Sequence, residues 1–173
     1  MTTTHKTLRG PRGAIIFVKK DDRGLDAKID RAVFPGMQGG PHMAAIAGIG
    51  QALYEALQPE YASYAKKVIE AAQALADTLR NAGWKLVTDG TDTHMVLIDV
   101  YGTVGISGKN AATKLADAGI IANMNMIPHD TRSPRDPSGI RLGTPAMVTR
   151  GLSPEDFRAI GKRIDTILRD TPL

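Results

Sequence analysis

The stretch from Glu60 to Asn81 is the part of the sequence that most restricts the fold. Apolar residues recur in it with the period of an amphipathic helix. These residues are Tyr61, Ala65, Val68, Ile69, Ala72, Leu75, Ala76 and Leu79. Gly83 follows where a glycine commonly ends a helix. A long helix with one apolar face has to pack that face against a second layer of structure.

Further elements follow this helix, each delimited by turn or capping residues. They are strands over Trp84–Val87, Met95–Val100 and Gly139–Gly143, a helix from Ser107 to Ala118 closed by Gly119, an extended segment over Ile120–Asn123, a polar loop over Pro128–Pro137, and a last helix opened by Ser153 and Pro154. The order α-β-β-α-β-β-α predicts a small α+β or split α/β domain.

The first sixty residues do not form a closed layer of their own. Ala14–Val18 is a continuous apolar run that predicts a strand buried on both faces, and Lys19–Gly24 predicts a surface turn. After a glycine- and proline-rich loop, a helix is predicted with Pro41 in its first turn. Its interior Gly48 and Gly50 each cost roughly 1 kcal/mol, which is reasonable only if something packs closely there. We expect this part to belong to a larger domain.

Composition excludes several classes of protein. The 173 residues include no cysteine, so disulfides and thiolate catalysis are excluded. The net charge of +4 is spread without a dense basic run, which argues against nucleic-acid binding. The apolar runs are too short to span a membrane, and no signal-peptide core is present, so the cytoplasm is the default location. His42, His94 and His129 lack metal-ligand spacing, and no metal site is predicted.

Lys6 follows a hydroxyl-rich lead-in, Thr2–Thr4, and His5. A Gly-Pro-Arg-Gly turn comes after it at residues 10–13. A lysine that forms a Schiff base must lose its proton and needs neighbours that orient it. An isolated lysine near a terminus is ordinarily a solvated surface residue, so the residue type alone leaves both interpretations open.

The sequence around the lysine indicates its role better than the residue type does. Residues Thr2–Gly13 closely resemble the cofactor-lysine segment of serine hydroxymethyltransferases. The resemblance continues through Ala32–Pro41, Gly90–His94 and Ser138–Ala146, in the order and at the spacing of that family, and it covers essentially the whole chain.

The resemblance implies an α/β fold, that of the fold-type I transferases dependent on pyridoxal 5′-phosphate. Residues 1–58 would be the carboxy-terminal remnant of the cofactor-binding large domain, and residues 59–173 the small domain. The implied reaction belongs to one-carbon metabolism and interconverts serine and glycine, with tetrahydrofolate as the one-carbon acceptor. The implied assembly is a homodimer or higher oligomer, or a complex with a complementary amino-terminal half.

The resemblance also implies roles for individual residues at the cofactor. Lys6 would carry pyridoxal phosphate as a Schiff base. Thr3, Thr4 and His5 would line the approach to this lysine, and Arg12 would support the site. Gly39 and Gly40 would reach the cofactor phosphate from the neighbouring subunit, and a glycine pair before a helix suits an anion. Without the family, a plain glycine loop is an equal alternative.

Other residues match positions that contact the substrates. Arg141 would bind the substrate carboxylate, for which its planar guanidinium is well suited; taken in isolation, a structural salt bridge is the alternative. Asn125 would contact the folate pterin, and Ser133 would lie in the adjoining folate loop. Arg135 departs from the family pattern, because an aromatic residue often occupies its position.

Most of the groups that complete such a site lie before the lysine in this family. We therefore expect the chain to be inactive alone, or active only with an amino-terminal half. Two alternatives remain: a non-catalytic partner that regulates full-length subunits through the dimer surface, and another fold-type I enzyme such as a threonine aldolase or an aminotransferase.

Overall fold

The computed structural model describes residues 1–19 and 22–170. The chain forms two compact units, one over Met1–Ala62 and one from Ser63 onward. The assignment of residues 1–58 and 59–173 to the large and small domains of a longer protein stays a prediction.

The first unit contains a two-stranded sheet and helices. Its elements are β1 (Thr2–Thr3), β2 (Ala14–Ile15), α1 (Leu25–Arg31), a wide turn over Ala32–Met37 with a cis Phe34–Pro35 bond, α2 (Met43–Ala56) and the beginning of α3 (Pro59–Asn81). The two strands are antiparallel, with Thr2 opposite Ile15 and Thr3 opposite Ala14. The loop between these strands carries Lys6.

The predicted buried strand over Ala14–Val18 is wrong. The strand ends at Ile15, and the Ile16 and Phe17 side chains are 43% and 72% exposed. The apolar run is real, but burial on both faces needs covering layers, and among the described residues the only strand paired with β2 is β1. The sequence analysis also missed α1. Of the predicted surface turn over Lys19–Gly24, Lys20 and Asp21 lie outside the described residues.

The two glycines inside α2 have different surroundings. A Cβ on Gly48 would stand 2.6 Å from Cγ of Pro11, whereas a Cβ on Gly50 would meet no atom within 4 Å. The prediction of close packing is therefore confirmed at Gly48 and wrong at Gly50. Pro41 was also placed wrongly, because His42 is the N-cap and Pro41 precedes the helix.

We expect the substitutions Gly48→Ala and Gly50→Ala to change stability in opposite directions. Gly50→Ala should raise the free energy of unfolding by roughly 0.5–1 kcal/mol, because alanine restricts the unfolded chain and favours the helix. Gly48→Ala should lower it by roughly 1–3 kcal/mol, because the new methyl group overlaps the Pro11 ring. Urea unfolding followed by circular dichroism measures both, and changes of the same sign would contradict the packing described for α2.

The second unit is a four-stranded antiparallel sheet with helices packed on it. Its elements are the rest of α3, β3 (Lys85–Leu86), β4 (Met95–Asp99), α4 (Tyr101–Val104), α5 (Gly108–Asp117), β5 (Asn123–Asn125), β6 (Gly139–Gly143), α6 (Pro145–Thr149) and α7 (Pro154–Arg169). The strand order is β3-β4-β6-β5. The predicted order of major elements is confirmed, and the short helices α4 and α6 are additions.

One face of this sheet forms the core of the second unit. The side chains that point into it from β4 and β6 alternate along each strand, as a half-buried sheet requires. Those that are buried are Val96, Ile98, Ile140 and Leu142. Buried residues of α3, α5 and α7 complete the core, and the larger of them include Val68, Leu75, Leu79, Leu115, Phe157, Ile164 and Leu168. The opposite face of β6 is left to the exposed residues Arg141 and Gly143.

Local signals at the helix ends are confirmed. The Ser107 hydroxyl accepts a hydrogen bond from the Asn110 amide, and Ser153 forms a reciprocal capping box with Asp156. The extended segment predicted over Ile120–Asn123 was placed too early in the chain. The strand β5 begins only at Asn123, which pairs with Arg141 of β6. Among the described residues, no helix has both the length and the apolar character needed to cross a membrane.

Candidate functional site

Lys6 lies in the loop Thr4–Gly13, which joins β1 to β2. Thr4 is only 1% exposed and forms hydrogen bonds across the base of this loop. Its amide donates to the Gly13 carbonyl at 3.0 Å, and its carbonyl accepts from the Gly10 amide at 2.8 Å. Its hydroxyl donates to the Pro11 carbonyl at 2.7 Å. One buried threonine therefore fixes the base of the loop through three hydrogen bonds.

The outside of the loop packs closely on neighbouring helices. A Cβ on Gly10 would stand 3.1 Å from Cβ of Ala52, and a Cβ on Gly13 would stand 2.9 Å from Cδ1 of Ile49. Glycine at both positions lets the backbone approach α2. The Tyr61 hydroxyl donates to the Thr7 carbonyl at 3.2 Å, which joins the loop to the start of α3. The loop is thus held on both sides of Lys6.

The Lys6 side chain itself is exposed. Its carbonyl accepts a hydrogen bond from the Arg9 amide at 2.9 Å, and Arg9 adopts a positive φ of 59°. The chain therefore turns tightly just after the lysine. This arrangement presents an exposed lysine side chain on a fixed backbone.

The neighbours of Lys6 fit a polar, anionic cofactor. The Nδ1 atom of His5 is buried and has no hydrogen-bond partner among the described residues. A buried polar atom of this kind is costly unless a ligand or water satisfies it. Arg12 is exposed in the same loop and offers a cation. Thr3 is half-buried at the end of β1, next to the loop.

Gly39 and Gly40 lie in an exposed stretch just before α2. A Cβ on either residue would meet nothing within 4 Å, so the backbone is open to close approach by another group. The helix begins only at Met43, so the glycine pair precedes the first turn rather than forming part of it.

Arg141 lies in the second unit, on the exposed face of β6. It stands opposite Leu97 of β4 and Asn123 of β5. Within the described residues it forms no salt bridge, which disfavours the structural alternative for this arginine. Asn125 is opposite Gly139 and therefore on the same face of the sheet. The sheet thus places Arg141 and Asn125 on one face, in diagonal positions on neighbouring strands.

The loop between β5 and β6 carries Ser133. The Ser133 side chain is exposed, and its oxygen accepts from the Arg135 amide at 3.2 Å. Arg132 stacks over the Tyr101 ring at 4.4 Å and forms an ion pair with Asp136. The Ser107 hydroxyl beside Asp136 lowers the pKa of that carboxyl, burial opposes this, and Arg132 lowers it further. The loop is consequently ordered, and Arg135 is exposed on it.

The predicted site residues fall into two groups. Lys6, Thr3, His5 and Arg12, with Gly39 and Gly40, belong to the first unit, whereas Arg141, Asn125 and Ser133 belong to the second. The sequence analysis missed the residues that support these groups. Tyr61, for example, is separated from Thr7 by 54 positions, and no local signal in the sequence links the two.

Comparison with known proteins identifies the family. The family model described as serine hydroxymethyltransferase matches residues 1–164 of the chain. The chain belongs to the serine hydroxymethyltransferase family. A serine hydroxymethyltransferase of Phenylobacterium zucineum is 52% identical over 96% of this chain. The enzymes of that name from Rickettsia akari and Rhodopirellula baltica are 50% and 49% identical, over 96% and 98% of the chain.

The chain spans 38–40% of the length of these curated relatives. Membership of the serine hydroxymethyltransferase family confirms the predicted resemblance and the fold-type I, pyridoxal-phosphate-dependent α/β class. The mixed α/β structure with its small antiparallel sheet agrees with that class. The matches favour this family over the threonine aldolase, aminotransferase and non-catalytic alternatives.

Proposed function

We propose that the chain supplies the cofactor lysine and the substrate-binding face of a pyridoxal-phosphate-dependent serine hydroxymethyltransferase. The reaction interconverts serine and glycine, and tetrahydrofolate accepts the one-carbon unit. The observation that carries this proposal is the exposed Lys6 amine on a loop whose backbone is fixed by Thr4 and packed on α2. A fixed backbone with a free amine is what covalent attachment of a cofactor needs.

Each residue of the first unit has a role in this proposal. Lys6 would hold the cofactor through its side-chain amine. His5 would meet it with the buried Nδ1 atom that has no partner among the described residues, and Arg12 would add positive charge from the turn. Gly39 and Gly40 offer open backbone to the phosphate of a cofactor held by a neighbouring subunit. When bound, pyridoxal phosphate supplies the electron sink for the chemistry.

The second unit binds the two substrates in this proposal. Arg141 holds the carboxylate of serine or glycine with its planar guanidinium, which makes two parallel hydrogen bonds. Asn125 contacts the pterin of tetrahydrofolate from the same face of the sheet, and Ser133 contributes from the adjoining loop. These assignments rest on the family resemblance and on the exposure of the Arg141 and Ser133 side chains; Asn125 is half-buried, and its amide donates to the Met126 carbonyl at 2.7 Å.

The proposal extends to assembly and location. We place the active form in a homodimer or higher oligomer, or in a complex with a complementary amino-terminal half. We also place it in the cytoplasm.

The test is complementation. The chain is co-purified with the part of the Phenylobacterium zucineum relative that it does not match, and glycine formation from serine is measured with tetrahydrofolate and pyridoxal phosphate. We expect activity that disappears in Lys6→Ala and persists in Lys162→Ala, a matched change of an exposed lysine on α7. A complex that forms but makes no glycine would contradict the proposed function.

A further inference from the structure

Asp130 makes more hydrogen bonds than any other residue of the β5–β6 loop for which bonds are described. Its Oδ2 atom accepts from the Ile127 amide at 3.3 Å and from the Ser138 amide at 2.9 Å. Its Oδ1 atom accepts from the Arg132 amide at 3.0 Å and from the Ser138 hydroxyl at 2.7 Å. One carboxylate therefore joins the two ends of the loop and its middle.

These hydrogen bonds lie next to the ends of the strands β5 and β6. Ile127 lies two residues after the end of β5, and Ser138 lies one residue before β6. Asp130 thus closes the loop just beyond the pairing of Asn125 with Gly139. Gly139 is closely packed there: a Cβ on it would stand 2.7 Å from Cγ2 of Ile127 and 2.9 Å from the Asn125 carbonyl oxygen.

The Ser138 end of the loop is itself anchored to the body of the unit. The Ser138 carbonyl accepts from the Tyr101 amide at 3.0 Å, and the Pro137 carbonyl accepts from the Gly108 amide at 2.7 Å. Ser138 is 5% exposed. Asp130 therefore ties the β5 end and the middle of the loop to an end that is buried and hydrogen-bonded to the body of the unit.

The carboxylate is in the charged form that these bonds require. Burial raises the pKa of Asp130, but the hydrogen bonds from Ser138, Arg132 and Ile127 outweigh this and lower it to about 2. Asp130 is thus ionised at neutral pH, and hydrogen bonds to an ionised acceptor are the stronger kind.

We propose that Asp130 is a positioning residue for the folate side of the proposed site. It sets the conformation of the segment between Asn125 and Ser138, on which Ser133 lies, without itself contacting a substrate. Arg141 is independent of it, because Arg141 is held between β4 and β5 by strand pairing. Loss of Asp130 should therefore weaken folate binding and leave binding of the amino acid almost unchanged. This inference rests on the proposed function.

The first experiment uses the chain alone and does not depend on activity. Amide hydrogen exchange is compared for the wild-type chain, Asp130→Asn and the matched control Asp117→Asn, an exposed aspartate on α5. In Asp130→Asn we expect the amides of Ile127, Arg132 and Ser138 to exchange at least about tenfold faster, while the amides of β4 and β6 keep their rates. Unchanged loop amides, or equally faster exchange throughout the sheet, would overturn the role given to Asp130.

The second experiment uses the complex with the complementary amino-terminal part. In Asp130→Asn we expect KM for tetrahydrofolate to rise about tenfold, with KM for serine within about twofold of wild type. Equal rises in the two constants, or no rise in either, would overturn the inference. A wild-type complex without activity would contradict the proposed function and the folate part of this inference, whereas the exchange experiment would still decide whether Asp130 holds the loop.

Discussion

In the complemented enzyme, Arg141→Ala should raise KM for serine by roughly 10²–10⁴-fold. The expected size follows from losing two charge-assisted hydrogen bonds to the substrate carboxylate, each worth roughly 1.5–3 kcal/mol. Arg141→Lys should recover little of this loss, because an ammonium keeps the charge but not the planar fork. Steady-state kinetics with serine as the varied substrate measures both variants.

The stability of the chain provides the control for this prediction. Arg141 is exposed on β6, so its replacement should change the free energy of unfolding by no more than about 0.5 kcal/mol. Arg150→Ala, an exposed arginine after α6, should leave KM for serine unchanged. A normal KM in Arg141→Ala would remove this arginine from the substrate site.

Gly108→Ala should cause a large loss of stability in the second unit, about 3 kcal/mol or more, because close packing leaves the new methyl group no space. A Cβ on Gly108 would stand 2.2 Å from the Gly139 carbonyl oxygen and 2.9 Å from the Pro137 carbonyl oxygen. Both atoms are backbone, so no side-chain rotation relieves the overlap. The Gly108 amide also donates to Pro137 at 2.7 Å, and that bond would be strained.

Urea unfolding followed by fluorescence is a direct measurement for this variant. Trp84 is the only tryptophan, is 3% exposed and donates from Nε1 to Asp165 of α7 at 2.7 Å. Its emission therefore reports on the second unit. Gly143→Ala is the matched control, since its Cβ would make only ordinary contacts of 3.7 Å and 3.9 Å, and it should cost less than about 1 kcal/mol. Equal midpoints for the two variants would contradict the packing of α5 on β6.

Elements with local signals could be predicted from the sequence. Residues close together in the sequence are enough to predict the apolar period of α3, the alternation along β4 and the caps at Ser107 and Ser153. Elements fixed by distant partners could not be placed in this way. The start of β5 depends on pairing with β6, and an apolar run such as Ala14–Val18 indicates a preference for burial without supplying the layer that buries it.

The same division holds for the candidate site. Lys6 and Arg141 stand in distinctive strings, so their positions and roles could be proposed from the sequence. The groups that support them could not. The Thr7 carbonyl accepts a hydrogen bond from Tyr61, which is 54 positions away. The hydrogen bonds of Asp130 depend on how the loop folds back on itself, and no sequence motif indicates them.

The central claim is that Lys6 is the residue to which pyridoxal phosphate attaches. The direct measurement is to add pyridoxal phosphate to the complex of the chain with its complementary amino-terminal part, reduce with borohydride and map the modified peptide by mass spectrometry. We predict one dominant modified lysine, Lys6, with label at that peptide lost in Lys6→Ala and retained in Lys162→Ala. Label spread over exposed lysines such as Lys66 and Lys109, with none concentrated at Lys6, would contradict the claim.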